Sequence, residues 1–189
     1  MLEKALLGRF LDRFPAARCV VELSCGTGHF TRWMAGRGLD AVGVDISVPM
    51  LDEALRLGGP RYLAGDAASL PIRDRAFDLA ALIATLEFVA DPARALAQAV
   101  RVARRGLVVG ALNRCSLLAL RRRLSGKAMW QCARFFGPWA LARMVRAAAG
   151  PRVRQVVWRT TLWPLPGVRH LPLPWGGFIG MAMHLDEEL

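Results

Sequence analysis

A glycine-containing turn is the first place in this 189-residue chain where residue types and spacing suggest chemistry. The segment VVELSCGTGHFT at 20–31 places Gly26 and Gly28 between an apolar run and an amphipathic stretch. Two glycines permit a tight turn and let a ligand approach the backbone, and the start of the following helix offers unpaired N–H groups. We therefore expect a ligand at this turn.

An acidic residue ends the next apolar run and indicates which ligand this is. Asp45 comes 19 positions after Gly26, close to the spacing of about 20 residues at which a carboxylate accepts hydrogen bonds from ribose hydroxyls. A dinucleotide fingerprint needs a third glycine where Thr31 stands, and Glu22 before the turn disfavours a pyrophosphate. The spacing predicts an adenosine-containing ligand, and Glu22 favours one that carries an ammonium and a sulfonium.

The elements that must position this turn alternate between short apolar runs and amphipathic stretches. Strands are predicted at 19–23, 41–44, 61–63, 77–83, 107–112, 153–162 and 177–185. Helices are predicted near the amino terminus, at about 28–37, 48–57 and 92–104, and between Gly137-Pro138 and Gly150-Pro151. Such alternation implies βαβ units and a parallel sheet that is buried on both faces. The loop before the last strand contains four prolines, which indicates an antiparallel hairpin at the end of the sheet.

The ordered motifs resemble those of class I S-adenosylmethionine-dependent methyltransferases, in particular the small-molecule subgroup called type 11. VVELSCGTG looks like the first motif, GVDIS at 43–47 like the acid of the second strand, and GDAASLP at 65–71 like the loop that reaches the adenine. Similarity extends over roughly residues 18–150. It implies an α/β fold, a Rossmann-like three-layer sandwich whose seven-stranded sheet is mostly parallel with an antiparallel last strand.

The resemblance also implies roles for individual residues. Asp45 would bind both ribose hydroxyls, Ile46 and Met50 would pack on the adenine, and Asp66 and the Ala67 N–H would meet the adenine edge. Taken alone, each of the two aspartates could equally be a helix cap or a turn residue. The complete set expected to bind S-adenosylmethionine is Glu22, Ser24, Cys25, Gly26, Gly28, Asp45, Ile46, Met50, Asp66, Ala67 and Ala84.

Two residues are candidates for a general base, which is needed only if the acceptor is protonated at working pH. His29 follows the glycine turn and Glu87 follows the fourth strand, and ligands bind at strand carboxyl ends in such sheets. His170 and His184 are the other histidines. The simpler interpretation makes His29 a solvent-facing helix residue and Glu87 a surface acid. Ser24 stands where the family usually has glycine, and its side chain would crowd the pocket slightly or add a hydroxyl contact.

Charge is concentrated in the second half of the chain. The net charge is +11, residues 101–189 hold 15 basic and three acidic side chains, and no carboxylate side chain occurs between Asp91 and Asp186. Such asymmetry points to an anionic substrate, a nucleic acid or a membrane surface, or reflects an arginine-rich composition.

Residues 113–136 combine this charge with aromatic side chains. We interpret them as a lid over the open end of the sheet, within a single domain 1–189. Trp130, Phe135 and Phe136 would wall an apolar pocket, and the arginines at 121–123 would attract an anionic group of a small acceptor. The alternative is that the aromatics belong to the core and the arginines to a solvated face.

Two further functions remain open from the sequence. The basic half could bind RNA or DNA for methylation, although ATLEFV after the fourth strand differs from the signature of base-amine methyltransferases. The chain could also bind the cofactor or a partner, including a membrane surface, without catalysis.

Composition sets the remaining expectations. Hydrophobic residues make up 54% of the chain, no apolar run approaches the length of a spanning helix, and the amino terminus lacks the pattern of a secretory signal. We therefore expect one cytoplasmic domain. The four cysteines form no C-x-x-C pair and only three histidines occur, so reduced thiols and no metal site are predicted.

Overall fold

The computed structural model describes residues 2–124, 132–161 and 171–186, and a seven-stranded sheet lies at its centre. The strands are β1 (Cys19–Leu23), β2 (Asp40–Asp45), β3 (Arg61–Ala64), β4 (Phe77–Ile83), β5 (Ala103–Leu112), β6 (Val153–Thr161) and β7 (Phe178–Leu185). The helices described are α1 (Leu2–Leu11), α2 (His29–Ala35), α3 (Val48–Arg56), α4 (Pro92–Val102), α5 (Leu117–Leu124) and α6 (Pro138–Ala149).

The order of the strands creates a place where a ligand can bind. The sheet runs β3-β2-β1-β4-β5-β7-β6, and β1 pairs in parallel with both β2 and β4. The chain turns outward in opposite directions from these two central strands, which opens a crevice at their carboxyl ends. The direction of β7 alone opposes that of the other six strands, so the predicted fold class is confirmed.

Alternate residues of the central strands enter two separate cores. Val21 and Ala80 belong to the core on the side of α4 and α6, whereas Val20 and Leu79 belong to the core with α1 and α2. A sheet that is covered on both faces needs apolar residues at nearly every strand position. This requirement explains the unbroken apolar runs from which the strands were predicted.

The boundary between α4 and β5 differs from its prediction. The Asp91 side chain caps α4 by accepting a hydrogen bond of 3.0 Å from the Arg94 N–H, as predicted. The helix ends at Val102 rather than near 104, because Ala103 already pairs with Phe77 of β4.

The predicted lid lies partly outside the described residues. Within 113–136 the structure describes α5 and the segment from residue 132, whereas Trp130 falls outside. Phe135 and Phe136 are both buried in the core, so the prediction that they wall a pocket is wrong. The Phe136 N–H donates to the Leu112 carbonyl at 3.0 Å, which holds this segment at the end of β5.

Candidate functional site

The carboxyl ends of the first four strands surround a cleft of about 710 Å³. Pockets that bind small molecules have volumes of about 300–1,000 Å³. Eight residues of the predicted cofactor set line this cleft, namely Ser24, Gly26, Asp45, Ile46, Met50, Asp66, Ala67 and Ala84. The other three, Glu22, Cys25 and Gly28, do not line the cleft.

Asp45 joins the glycine turn to the end of β2. Its carboxylate accepts hydrogen bonds from the backbone N–H groups of Gly26 at 2.7 Å and Ser47 at 2.8 Å. An ionised carboxylate offers about four acceptor sites, so two remain for hydroxyl donors in the cleft. Asp45 is therefore the turn residue of one alternative and also lines the cleft, while its role as a ligand-binding acid stays a prediction.

The two glycines of the turn face different surroundings. Gly26 has φ +55°, and a Cβ built on it would have no heavy atom within 4 Å, which leaves open space toward a ligand. Gly28 has φ +74°, and a Cβ there would lie 2.7 Å from the Tyr62 ring. Gly26 thus permits approach from the cleft, whereas Gly28 permits the packing of Tyr62.

Glu22 lies beneath the turn in a fully buried position. It is 1% exposed and accepts a hydrogen bond from the Thr31 hydroxyl. Desolvation by burial raises its pKa to about 8, although the Thr31 hydrogen bonds oppose that shift, and the nearby Asp45 carboxylate raises the pKa further. Burial therefore shifts Glu22 toward its protonated form near neutral pH.

Burial also makes the neighbouring thiol unreactive. Desolvation, together with the negative charges of Glu22 and Asp45, raises the Cys25 pKa to about 12. Since the thiolate is the nucleophilic form, Cys25 contributes packing rather than reactivity.

The side of the cleft near β2 and β3 combines apolar surface with a carboxylate. Ile46 is 73% exposed and Met50 is 47% exposed, although both are apolar. The Asp66 carboxylate accepts a hydrogen bond of 2.8 Å from the Ala68 N–H, and Ala67 is buried between these residues. A flat ring with polar edges, such as adenine, matches this combination.

Two non-glycine residues of the cleft have left-handed backbone conformations. Ser24 and Ala84 both have φ +54°, at the ends of β1 and β4. Strain of this kind persists only where surrounding contacts impose it, and it is concentrated at functional sites. Here the Thr85 hydroxyl donates to the Leu23 carbonyl at 2.8 Å, and the Ala84 N–H donates to the Gly110 carbonyl at 2.8 Å.

Neither candidate base lines the cleft. His29 is exposed, its ring meets the edge of Phe30 at 5.0 Å, and partial burial with the positive charges of Lys4 and Arg32 lowers its pKa. Glu87 is buried, and its carboxylate accepts a hydrogen bond from the Leu112 N–H.

One further histidine of the described residues lies away from the cleft. His184 lies near the end of β7, where it pairs with Gly106 near the beginning of β5. This end of the sheet is opposite the strand ends that surround the cleft. His170 falls outside the described residues. The assignment of His29 or Glu87 as a general base stays a prediction.

The far wall of the cleft was missed by sequence reasoning. It consists of the segment after β4, with Thr85, Phe88, Val89, Ala90, Asp91 and Arg94. Three of these six residues are apolar, and the polar ones show no chemical motif. The signal that could have found them is positional, because any segment between the end of β4 and the Asp91 cap must border the carboxyl edge of the sheet.

Metal ligands do not converge in the part of the chain that the structure describes. No three side chains among its His, Cys, Asp and Glu residues come together as a metal ion would require.

Comparison with known proteins agrees with this geometry. A methyltransferase domain family model of type 11 matches residues 21–109, which contain the glycine turn, Asp45 and the far wall of the cleft. The chain carries a class I S-adenosylmethionine-dependent methyltransferase domain. The cofactor of this family is S-adenosylmethionine, and the cleft provides the carboxylate and apolar surfaces that suit it.

Individual relatives match about half of the chain. An uncharacterized methyltransferase of Mycobacterium tuberculosis is 43% identical over 93 residues, which cover 48% of this chain and 37% of the relative. A demethylmenaquinone methyltransferase of Roseiflexus sp. is 39% identical over 110 residues, which cover 52% of this chain and 44% of the relative. The matched part of the chain thus spans less than half the length of these curated relatives.

A solved structure resembles the whole described fold. It is an S-adenosylmethionine-dependent methyltransferase of Thermotoga maritima, described as a possible histamine N-methyltransferase. It is 29% identical, superposes with a TM-score of 0.81, and covers 96% of this chain and 86% of its own.

Proposed function

We propose that this methyltransferase transfers the methyl group of S-adenosylmethionine to a small apolar acceptor that carries an anionic group. The observation that carries the proposal is the position of Asp45, which fixes the glycine turn and faces the cleft at the point where the strand order reverses. Open α/β sheets bind their ligands at this point.

The residues of the cleft fit the parts of the cofactor. Asp45 would accept hydrogen bonds from the ribose hydroxyls, and the exposed apolar side chains of Ile46 and Met50 would cover the adenine. Asp66 and Ala67 stand at the adenine edge. The methionine part would lie along Ser24, Gly26 and Ala84, which line the opposite end of the cleft.

The chain's own contribution to the reaction is alignment. When bound, S-adenosylmethionine supplies a methyl group that its sulfonium has already activated. Holding an acceptor nucleophile in line with that group converts a bimolecular encounter into an effectively unimolecular step. We assign no general base, because His29 and Glu87 both lie away from the cleft lining.

The far wall of the cleft favours an apolar acceptor that carries an anionic group. Phe88, Val89 and Ala90 form an apolar surface, and Arg94 places a cationic side chain beside it. An apolar ring or chain with an acidic substituent would complement this wall. The Roseiflexus relative is named for a small-molecule acceptor, demethylmenaquinone.

Methylation of nucleic acid is the alternative function. Its support comes from the positive charge of residues 101–189 and not from the residues that line the cleft. Nucleic-acid binding should weaken steeply as salt is raised, whereas turnover of a small apolar acceptor should change less.

The first test is calorimetric titration with S-adenosylmethionine. We expect saturable binding by the wild type and a loss of about 100-fold or more in Asp45→Ala, because two charged hydrogen bonds contribute about 1.5–3 kcal/mol each. Asp40→Ala is the matched control, since Asp40 lies at the other end of β2 and pairs with Arg61 on the surface.

Absence of binding by the wild type would overturn the proposal, as would an equal loss in the two variants. After binding is established, transfer of labelled methyl groups to a panel of quinones, aromatic acids and RNA identifies the acceptor class. Transfer to RNA alone would favour the alternative.

A further inference from the structure

An exposed apolar surface surrounds the carboxyl ends of β5 and β6 and the amino end of β7, which lie together because β7 runs antiparallel to both. We call it the apolar edge, and its side chains are between 40% and 67% exposed. Its members are Leu117, Leu120, Trp139, Leu173 and Trp175. Large apolar side chains that are scattered singly need no explanation, whereas a contiguous group marks an interaction site.

Hydrogen bonds hold the segment before β7 at this edge. The Asn113 side-chain amide, directly after β5, donates to the Pro174 carbonyl and, at 2.7 Å, to the Gly176 carbonyl. The Thr160 hydroxyl near the end of β6 donates to the Leu173 carbonyl at 2.6 Å. Leu173 and Trp175 are therefore fixed beside the ends of β5 and β6.

The beginnings of α5 and α6 complete the apolar edge. Trp139 lies in the first turn of α6 and meets Trp158 of β6 edge-on, with ring centroids 5.6 Å apart. A Cβ built on Gly137, just before α6, would lie 3.3 Å from Arg114 Nε, just before α5. The two helix starts are thus neighbours.

Arginines accompany the apolar side chains. Arg114, Arg121 and Arg134 are all exposed in this part of the structure, and no carboxylate side chain occurs in the sequence between Asp91 and Asp186. Arg134 donates to the carbonyls of Val89 at 2.8 Å and Ala90 at 2.9 Å. Because Val89 and Ala90 line the cleft, Arg134 lies beside its far wall.

We propose that the apolar edge docks on an anionic lipid surface. Leucine and tryptophan side chains can enter the boundary between headgroups and acyl chains, and arginines can bind the phosphates. A nucleic acid would neutralise the arginines but leave three leucines and two tryptophans in water. No helix in the described part of the chain is both long and apolar enough to cross a bilayer, so the contact is peripheral.

Sedimentation with lipid vesicles tests this proposal. Vesicles of phosphatidylglycerol and phosphatidylcholine are expected to bind the wild-type chain, and vesicles of phosphatidylcholine alone to bind it weakly. Each arginine near an anionic surface contributes roughly fivefold, so Arg114→Gln with Arg121→Gln should weaken binding about 25-fold. Leu117→Gln with Leu120→Gln, which leaves the charge unchanged, should weaken it at least tenfold.

The other end of β6 and β7 offers a control pair of arginines that carries the same total charge. Arg13 and Arg154 line a separate cavity there together with His184. Arg13→Gln with Arg154→Gln removes the same two charges and should change vesicle binding by no more than about twofold. Circular dichroism and thermal melts establish that each variant is folded.

Three outcomes would overturn the proposal. The first is no binding of the folded wild type to anionic vesicles, and the second is an equal loss in both arginine pairs, which would show unspecific attraction. The third is vesicle binding that survives the leucine substitutions unchanged. Vesicle binding is measured without S-adenosylmethionine or an acceptor, so its failure leaves the proposed methyl transfer untouched.

Discussion

The Asp45 carboxylate accepts a hydrogen bond of 2.7 Å from the Gly26 N–H and thereby joins the end of β2 to the turn after β1. The same carboxylate accepts from the Ser47 N–H at 2.8 Å, at the start of α3. One acidic side chain thus shapes two loops of the cleft before any ligand arrives. Substitutions at this position should affect folding as well as binding.

Asp45→Asn should therefore destabilise the protein in the absence of ligand. An asparagine amide can accept from only one of the two N–H groups with its oxygen, and its NH₂ then faces the other donor. Leaving a buried donor without an acceptor costs about 1–3 kcal/mol. Urea denaturation measures the free energy of unfolding, with Asp40→Asn on the exposed end of β2 as the control. Equal stability of wild type and Asp45→Asn would contradict the role of the carboxylate in the turn.

The two glycines of the turn should respond differently to alanine. Gly26→Ala and Gly28→Ala each place a Cβ at a positive φ, at a cost of about 1–2 kcal/mol. Only Gly28→Ala also drives the Cβ into the Tyr62 ring, which adds about 1–3 kcal/mol. We expect Gly28→Ala to be less stable, and Gly26→Ala to lose more S-adenosylmethionine affinity relative to its loss of stability. The division of roles would be contradicted if Gly28→Ala were the more stable variant and lost more S-adenosylmethionine affinity relative to its loss of stability.

Ser24 provides a test of backbone strain. At φ +54° a glycine is unstrained, whereas alanine keeps the strain of serine. Ser24→Gly should therefore be more stable than Ser24→Ala by about 1 kcal/mol, although alanine is the more stabilising residue at ordinary positions. Comparing S-adenosylmethionine affinities of the two variants then isolates any hydroxyl contact. A more stable alanine variant would show that the turn does not impose this conformation.

Sequence reasoning predicted the fold well because its signals are local. β1 and β4 were predicted at their observed bounds, since strands that are buried on both faces are unbroken apolar runs. The side of the cleft that contains Gly26 and Asp45 was predicted because chemistry and spacing coincide there. Phe135 and Phe136 were misplaced because an aromatic residue in a basic segment fits a pocket wall and a core equally well, and only tertiary pairing decides.

The same limitation applies to the candidate bases. Glu87 is a titratable residue after a strand, but its carboxylate is engaged by the Leu112 N–H, and His29 is exposed beside Phe30. We expect Glu87→Gln and His29→Ala to retain the methyl-transfer rate within about threefold, since general-base loss would cost about 100-fold or more. Assays use the acceptor found in the panel, across a range of pH. A 100-fold loss with unchanged cofactor affinity and a lost limb of the pH profile would identify the base.

Glu22 should make stability fall as pH rises. Its pKa is about 8 in the folded protein and about 4.5 when solvated, so both states are protonated at low pH and burial then costs little. Between these values the unfolded chain releases the proton while the folded chain retains it, which lowers the free energy of the unfolded state relative to that of the folded state. From pH 5 to pH 8 the contribution of Glu22 should therefore decrease by roughly 3 kcal/mol, at about 1.4 kcal/mol for each pKa unit.

Glu22→Gln isolates this contribution, because glutamine can still accept the Thr31 hydrogen bond but does not titrate. Other groups titrate alike in both proteins, so the difference between their free energies of unfolding reports Glu22 alone. Denaturation at pH 5 and pH 8 should show that the free energy of unfolding of Glu22→Gln increases relative to that of the wild type as pH increases. A constant difference would mean that Glu22 is ionised in the folded protein, and the turn would then hold a fixed negative charge beneath the cleft.

A cationic ligand would lower the pKa of a protonated Glu22 and release its proton, which titration calorimetry in buffers of different ionisation enthalpy detects.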